Sequence, residues 1–265
     1  MTTTSASILV GLDAAVRAGL DALLLSMADD EFVLGFSDSE WTGIAPLLEE
    51  DVAMTSLALD ELGHARALYE LLADLRADGR DADAIAYDRE PAEYRHCRLV
   101  DGGRGDWADT IARRYLYDTA DAARLAALDG GAWAPLAQLV AKIRREERYH
   151  LMHVGAWLER LAGGGDEARG RLIAAWERLA PNAATVFTPL PGEAALVAAG
   201  ILAVPLAEAE VRWRSAIAPA LARLELPMPP VTASPDCGRL ERSDAFRWLW
   251  GEFTAVRRLD PTATW

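Results

Sequence analysis

The 265-residue sequence has little cysteine: Cys97 and Cys237, far apart and without the spacing of a metal site. A disulfide framework and a thiolate zinc site are both excluded, and a reduced compartment is expected. Runs of Val, Ile and Thr of strand length are scarce, while Ala, Leu, Arg, Glu and Asp recur throughout; this disfavours a β-fold and predicts an all-α protein. No uninterrupted apolar run reaches membrane-spanning length, and Met1 to Ser7 lacks the basic start and cleavage site of a signal peptide. A cytoplasmic protein is therefore expected. Basic residues are outnumbered, giving a formal net charge of −14, which argues against nucleic acid and anionic membranes as partners. No flavin or nicotinamide fingerprint, solenoid repeat or low-complexity tract occurs. Histidine is scarce as well, with four in the chain.

Two of those four histidines fall in the same pattern. Glu61-Leu-Gly-His64 and Glu147-Arg-Tyr-His150 lie 86 residues apart. Residues three apart share a helix face, so each pattern aims one carboxylate and one imidazole at the same point. Both sit on apolar stripes. The second helix, from after Pro46 to about Leu75, carries Met54, Leu57, Glu61, His64 and Leu68; the fourth, after Pro135, carries Val140, Ile143, Glu147, His150, Val154, Trp157 and Leu161. The first helix, about Leu12 to Gly35, has the stripe Leu20, Leu24, Met27, Glu31, Leu34. The third, from near Trp107, has Ile111, Tyr115, Asp118, Ala122, Leu125. A carboxylate on an apolar stripe is costly to desolvate unless a partner awaits it.

Glu31 to Glu61 is 30 residues and Asp118 to Glu147 is 29, the matched spacing that two antiparallel helix pairs require. One carboxylate from each of two helices and Glu-x-x-His from each of two others is the ligand set of a dinuclear ferritin-like bundle. The predicted ligands are thus Glu31, Glu61, His64, Asp118, Glu147 and His150. Four converging acids without a cation would repel one another, and this donor set suits two iron ions, or manganese with iron, better than zinc. Asp121 is the rival to Asp118, its stripe running back through Arg114 as a helix flank would. Asp60, Asp121 and His153 are candidates for the layer around the ligands, and His96 reads as incidental. Arg144, Arg145 and Arg148 line the exposed side of the fourth helix, where a basic run is most often solvated. The chain reads as one domain over residues 1–265, with a bundle core at about 12–163 and a helical C-terminal extension at about 166–265. Ala77 to Gly105 serves as the long connection between the halves.

Further blocks point to a family. They are Glu40-Trp-Thr-Gly-Ile-Ala-Pro46, Leu59-Asp-Glu-Leu-Gly-His-Ala-Arg66, Ala108-Asp-Thr-Ile-Ala-Arg113, Arg148-Tyr-His-Leu151, Trp157-Leu-Glu-Arg-Leu161, and Arg257-Arg-Leu-Asp-Pro261 with the final Trp265. The sequence resembles the PaaA/PaaC ferritin-like proteins of the bacterial phenylacetyl-CoA epoxidase complex, the PaaC branch in particular. The resemblance implies a subunit of a multicomponent oxygenase that inserts oxygen into an aromatic acyl-CoA at a di-iron centre. It further implies a PaaA-like partner and an external reductase, with homodimers as an alternative assembly. PaaC-type subunits typically lack ligands and serve structurally, whereas here all six positions are filled. The loop from Val231 to Ser243 departs from the branch in lacking its Gly-Gly-rich segment and histidine. On the same resemblance, Tyr115 and Tyr149 would shape a dry pocket beside the metals, and Arg144, Arg145 and Arg148 could meet coenzyme A phosphates or a partner subunit. Three alternatives stay open: a non-catalytic partner of a PaaA-like chain, a stand-alone di-metal oxidase, and, least favoured, an iron-storage protein.

Overall fold

Asp13 opens the first helix by accepting a hydrogen bond from the Ala15 amide at 2.8 Å. The computed structural model describes residues 12–231 and 238–260. Within them the helices are α1 (Ala14–Ser39), α2 (Leu48–Arg76), α3 (Ala82–Tyr87), α4 (Trp107–Leu128), α5 (Ala134–Ala162), α6 (Asp166–Leu179), α7 (Glu193–Ala198), α8 (Leu206–Leu224) and α9 (Asp244–Leu259). Short 3-10 segments occur at Pro91–Glu93, Arg98–Val100 and Ala180–Phe187, and no strand occurs among the described residues. The all-α class is that of a ferritin-like helical bundle. Cys237, Met1 to Ser7, Pro261 and Trp265 lie outside the described residues; Cys97 is buried as a thiol.

The chain forms two compact units. Of the described residues, the first contains 12–96, Asp101–Gly103 and 240–260. Its centre is the antiparallel pair α1 and α2. Arg17 Nη1 donates to the Leu75 carbonyl at one end, Arg76 grips Asp21 at 2.5 Å, and Tyr69 Oη donates to Asp29 at 2.6 Å midway. The expectation that Gly35 ends α1 fails, because the helix runs four residues further to Ser39. Gly35 is there for a close approach: a Cβ would come within 3.0 Å of Leu62 Cγ and 3.1 Å of the Ala58 carbonyl. The turn after α1 is closed by Gly43 at φ +83°, whose amide donates to both oxygens of Asp51 at 2.9 Å. That accounts physically for the Trp-Thr-Gly block.

The connection after α2 is built rather than loose. Arg89 is buried and puts Nη2 2.5 Å and Nη1 3.0 Å from the carboxylate of Asp29, which also accepts the Arg95 amide at 2.5 Å. His96, taken from sequence as incidental, is fully buried with Nε2 2.8 Å from Asp101. The last helix, read as part of a C-terminal extension, packs in this first unit. Trp250 Nε1 donates to the Arg89 carbonyl at 2.9 Å, and the Phe253 ring lies 5.0 Å from Phe32 and 5.1 Å from Phe36.

The second unit holds Cys97–Val100 and Arg104–Arg239. Here α4 and α5 run antiparallel, with Trp107 against Trp157 at 5.2 Å at one end and Arg144 paired with Asp129 at the other. Asp106 and Asp109 make a reciprocal capping box at the start of α4. Helices α6 and α8 also pack on α4: the Trp176 ring lies 6.2 Å from Tyr115, and Trp213 Nε1 donates to Thr119 Oγ1 at 2.9 Å. As a result α4 is buried on nearly all sides, including Arg113, Arg114, Asp118, Asp121 and Arg124. Asp121, read from sequence as lying on a helix flank, is buried as well. On α5 the buried stripe is Leu136, Val140, Ile143, Glu147, His150, Val154, then Leu158 and Ala162. Beyond Val154 the stripe advances by fours, so Leu158 and Ala162 take the inward places expected of Trp157 and Leu161.

Candidate metal centre

In the first unit, α1 contributes Glu31 and α2 contributes Glu61 and His64. All three are essentially fully buried. His64 Nδ1 lies 3.4 Å from Glu31 Oε2 and 3.7 Å from Glu61 Oε2. One donor atom from each of the three falls within 4.8 Å of the others. The close α1–α2 approach at Gly35, one turn after Glu31, permits this distance. Burial by itself would push the His64 pKa down; the hydrogen bonds and charges of Glu31 and Glu61 outweigh it and hold it at about 12. The imidazole therefore carries one positive charge between two buried carboxylates.

The second unit brings Asp118, Glu147 and His150 into a buried neighbourhood too, and a residue absent from the sequence prediction joins them. Arg114, one turn before Asp118, is 1% exposed. Its Nη2 lies 3.1 Å from His150 Nδ1 and 3.4 Å from Asp118 Oδ2. His150 Nδ1 is also 3.1 Å from Glu147 Oε1. Spacing would have revealed Arg114, since 114 and 118 are i and i+4 on one helix; the sequence argument weighed acids and histidines and placed this arginine on a flank. Asp121 has its own cation, Arg124, whose Nε donates to Asp121 Oδ1 at 2.7 Å and whose Nη2 lies 3.2 Å from Tyr117 Oη. Asp118 rather than Asp121 thus shares its surroundings with His150.

The outlying candidates are dispersed. Asp60 is half-buried on α2. His153 is half-buried with its ring stacked against Tyr149 at 6.3 Å. Tyr149 is 46% exposed, so it does not wall a dry pocket, whereas Tyr115 is buried against Trp176. Arg144, Arg145 and Arg148 border a hollow of about 350 Å³ that Glu147 also lines, with Leu125 and Leu151 as apolar walls. Arg144 is engaged there with Asp129.

Comparison with known proteins agrees with this architecture. A family model described as phenylacetic acid catabolic protein matches residues 12–265. The chain belongs to that family. It is also similar to the C component of the 1,2-phenylacetyl-CoA epoxidase of Escherichia coli (strain K12), at 36% identity over 186 residues, covering 70% of this chain and 75% of that protein.

The two half-sites differ in their fit to a divalent ion. In the first, His64 carries a proton beside Glu31 and Glu61, and an incoming ion can displace a proton. Glu31, Glu61 and His64 therefore fit an ion, with two carboxylate oxygens and one imidazole nitrogen of the type iron and manganese accept. In the second, the cation beside Asp118 and His150 is the Arg114 guanidinium, which stays protonated and is tethered to the backbone. His150 Nδ1 has one in-plane position, and it either accepts from Arg114 or donates to Glu147. An ion does not fit there while Arg114 holds that place.

Proposed function

We propose that this chain is a PaaC-like helical component of a phenylacetyl-CoA epoxidase-type oxygenase, and that the oxygen chemistry resides on a partner chain. One observation carries the reading: the Arg114 guanidinium stands 3.1 Å from His150 Nδ1 and 3.4 Å from Asp118 Oδ2, in the place an ion would take beside them. Similarity to an epoxidase component supports the assignment to an oxidoreductase complex acting on an aromatic acyl-CoA, with electrons from an external reductase. On this reading the chain's own residues bind and orient partners and keep the buried charges matched. Arg145 and Arg148, exposed on α5, are the side chains best placed to meet an anionic group.

A second reading is favoured by the Glu31–Glu61–His64 cluster. In it Arg114 would have to give up its place beside His150, and the chain would hold its own iron pair, or manganese with iron, on Glu31, Glu61, His64, Asp118, Glu147 and His150. Such a pair would supply oxygen activation. The protein's contribution would be to release the His64 Nδ1 proton as the ion enters and to keep bulk water from the buried carboxylates.

The test is phenylacetyl-CoA consumption under air, with a reductase, for the chain alone and for the chain purified with the other epoxidase components of its source. Elemental analysis accompanies both. Activity only in the assembly, with iron residing chiefly in the other chains, is expected. Turnover by the chain alone, with about two ions per chain lost in Glu61→Ala/Glu147→Ala, would establish the second reading instead.

A further inference from the structure

A hollow of about 310 Å³ opens on the outer side of the first unit, between α2 and α3. It lies on the face of α2 opposite Glu61 and His64. Those two are buried, whereas Leu59 on this face is exposed and a Cβ built on Gly63 would meet nothing within 4 Å. The Phe32 ring of α1 and the Tyr87 ring of α3 wall the hollow, 5.3 Å apart and edge to face. Two opposite charges line it as well: Arg66 from α2, and Asp83, one turn before Tyr87 on the same face of α3. The Asp83 charge is felt by both neighbours. The Arg66 pKa is raised by the Glu70 hydrogen bond first and by Asp83 next, and the Tyr87 pKa by burial first and Asp83 next. Yet no hydrogen bond or ion pair joins Arg66 to Asp83 among the described residues. Arg66 gives Nε to Glu70 at 3.1 Å and leaves its two terminal nitrogens uncommitted, and neither Asp83 nor the Tyr87 hydroxyl makes a hydrogen bond there.

An aromatic wall flanked by one open donor and one open acceptor selects a ligand by its charges. A monoanion meets Arg66 but is repelled by Asp83, and a monocation meets the reverse. A zwitterion satisfies both. We propose that this hollow binds a free aromatic α-amino acid, its ring against Phe32 and Tyr87, its carboxylate on the terminal nitrogens of Arg66 and its ammonium on Asp83. The volume is at the low end of the roughly 300–1,000 Å³ of small-molecule pockets, which suits one amino acid and is tight for a nucleotide. Gly63 lines the same space, and a side chain there would occupy it. The site is separate from the metal centre, whose α2 residues face the other side of the helix, and it does not depend on the epoxidase reading.

The experiment is calorimetric titration of the full-length chain with L-phenylalanine and with three probes that each lack one group. Phenethylamine lacks the carboxylate, 3-phenylpropanoate the ammonium and L-alanine the ring. Wild type is expected to bind L-phenylalanine saturably, with a Kd of about 1 mM or below, and each probe about tenfold or more weakly. Asp83→Asn should lose about tenfold for L-phenylalanine while gaining affinity for 3-phenylpropanoate. Arg66→Gln should show the converse, losing L-phenylalanine and gaining phenethylamine. Such a crossing of preferences does not arise from a general loss of structure. Gly63→Leu, with circular dichroism as wild type, should abolish binding. Absence of saturable L-phenylalanine binding in wild type, or equal affinity for L-phenylalanine and 3-phenylpropanoate, overturns the proposal. An Asp83→Asn chain that keeps the wild-type affinity for L-phenylalanine overturns it as well.

Discussion

Exchanging Asp29 for asparagine should destabilise the first unit more than any surface change. The Asp29 carboxylate accepts from Arg89 Nη2 at 2.5 Å and Nη1 at 3.0 Å, from Tyr69 Oη at 2.6 Å and from the Arg95 amide at 2.5 Å. Asp29 is 0% and Arg89 5% exposed, so neither charge has water to fall back on. Burial opposes the arginine's charge, but Asp29 outweighs it and raises the Arg89 pKa further above its ordinary value. Asparagine keeps the volume, removes the charge and turns an amide N–H toward donors. Breaking one partner of a buried ion pair costs about 3–5 kcal/mol. At about 2–4 °C per kcal/mol for a chain of this size, the melting temperature should fall by roughly 6–20 °C. Urea unfolding of the full-length chain, followed by circular dichroism, measures the free energy directly. Asp29→Asn/Arg89→Met should recover much of the loss, because the double variant strands no charge. A loss below about 1 kcal/mol in Asp29→Asn, or strict additivity in the double variant, would refute the reasoning.

Two glycines of the first unit should respond in opposite directions. Gly35→Ala gains about 1 kcal/mol of helix propensity, but its Cβ meets Leu62 Cγ at 3.0 Å and the Ala58 carbonyl at 3.1 Å, an overpacking cost of about 1–3 kcal/mol. Gly63→Ala meets nothing within 4 Å and should gain up to about 1 kcal/mol; thermal melts of the pair check this, and a stabilised Gly35→Ala would deny the close helix contact. The His96–Asp101 pair predicts acid sensitivity. Burial, outweighing the Asp101 hydrogen bond, lowers the His96 pKa, so its contribution is present above the unfolded value of about 6.5 and is lost as pH falls below it. Wild type should therefore lose more stability than His96→Gln between pH 7 and pH 5, and parallel pH profiles would contradict it. His64, with its pKa raised, contributes with the opposite sign: fully below about 6.5 and progressively less as pH rises towards 12.

Helix content and the polar residues that interrupt the apolar stripes were legible because helical periodicity is local. Glu31, Glu61, His64, Asp118, Glu147 and His150 all proved buried, and the antiparallel pairs α1–α2 and α4–α5 follow from their matched spacing. Gly35 misled because glycine ends helices and also lets helices touch, and only the neighbouring helix distinguishes the two. Asp121 misled because a one-sided stripe was assumed for a helix that neighbours cover on most sides. The placement of α9 beside Phe32 and Phe36 rests on contacts between residues over 200 positions apart, which periodicity does not encode. Sequence by itself placed Glu31, Glu61, His64, Asp118, Glu147 and His150 on inward helix faces. Only the tertiary structure decided what these residues meet: His64 beside Glu31 and Glu61, and the tethered guanidinium of Arg114 beside Asp118 and His150. The physical reason is that buried charge must be neutralised by whatever packs against it, and packing is a property of the folded chain.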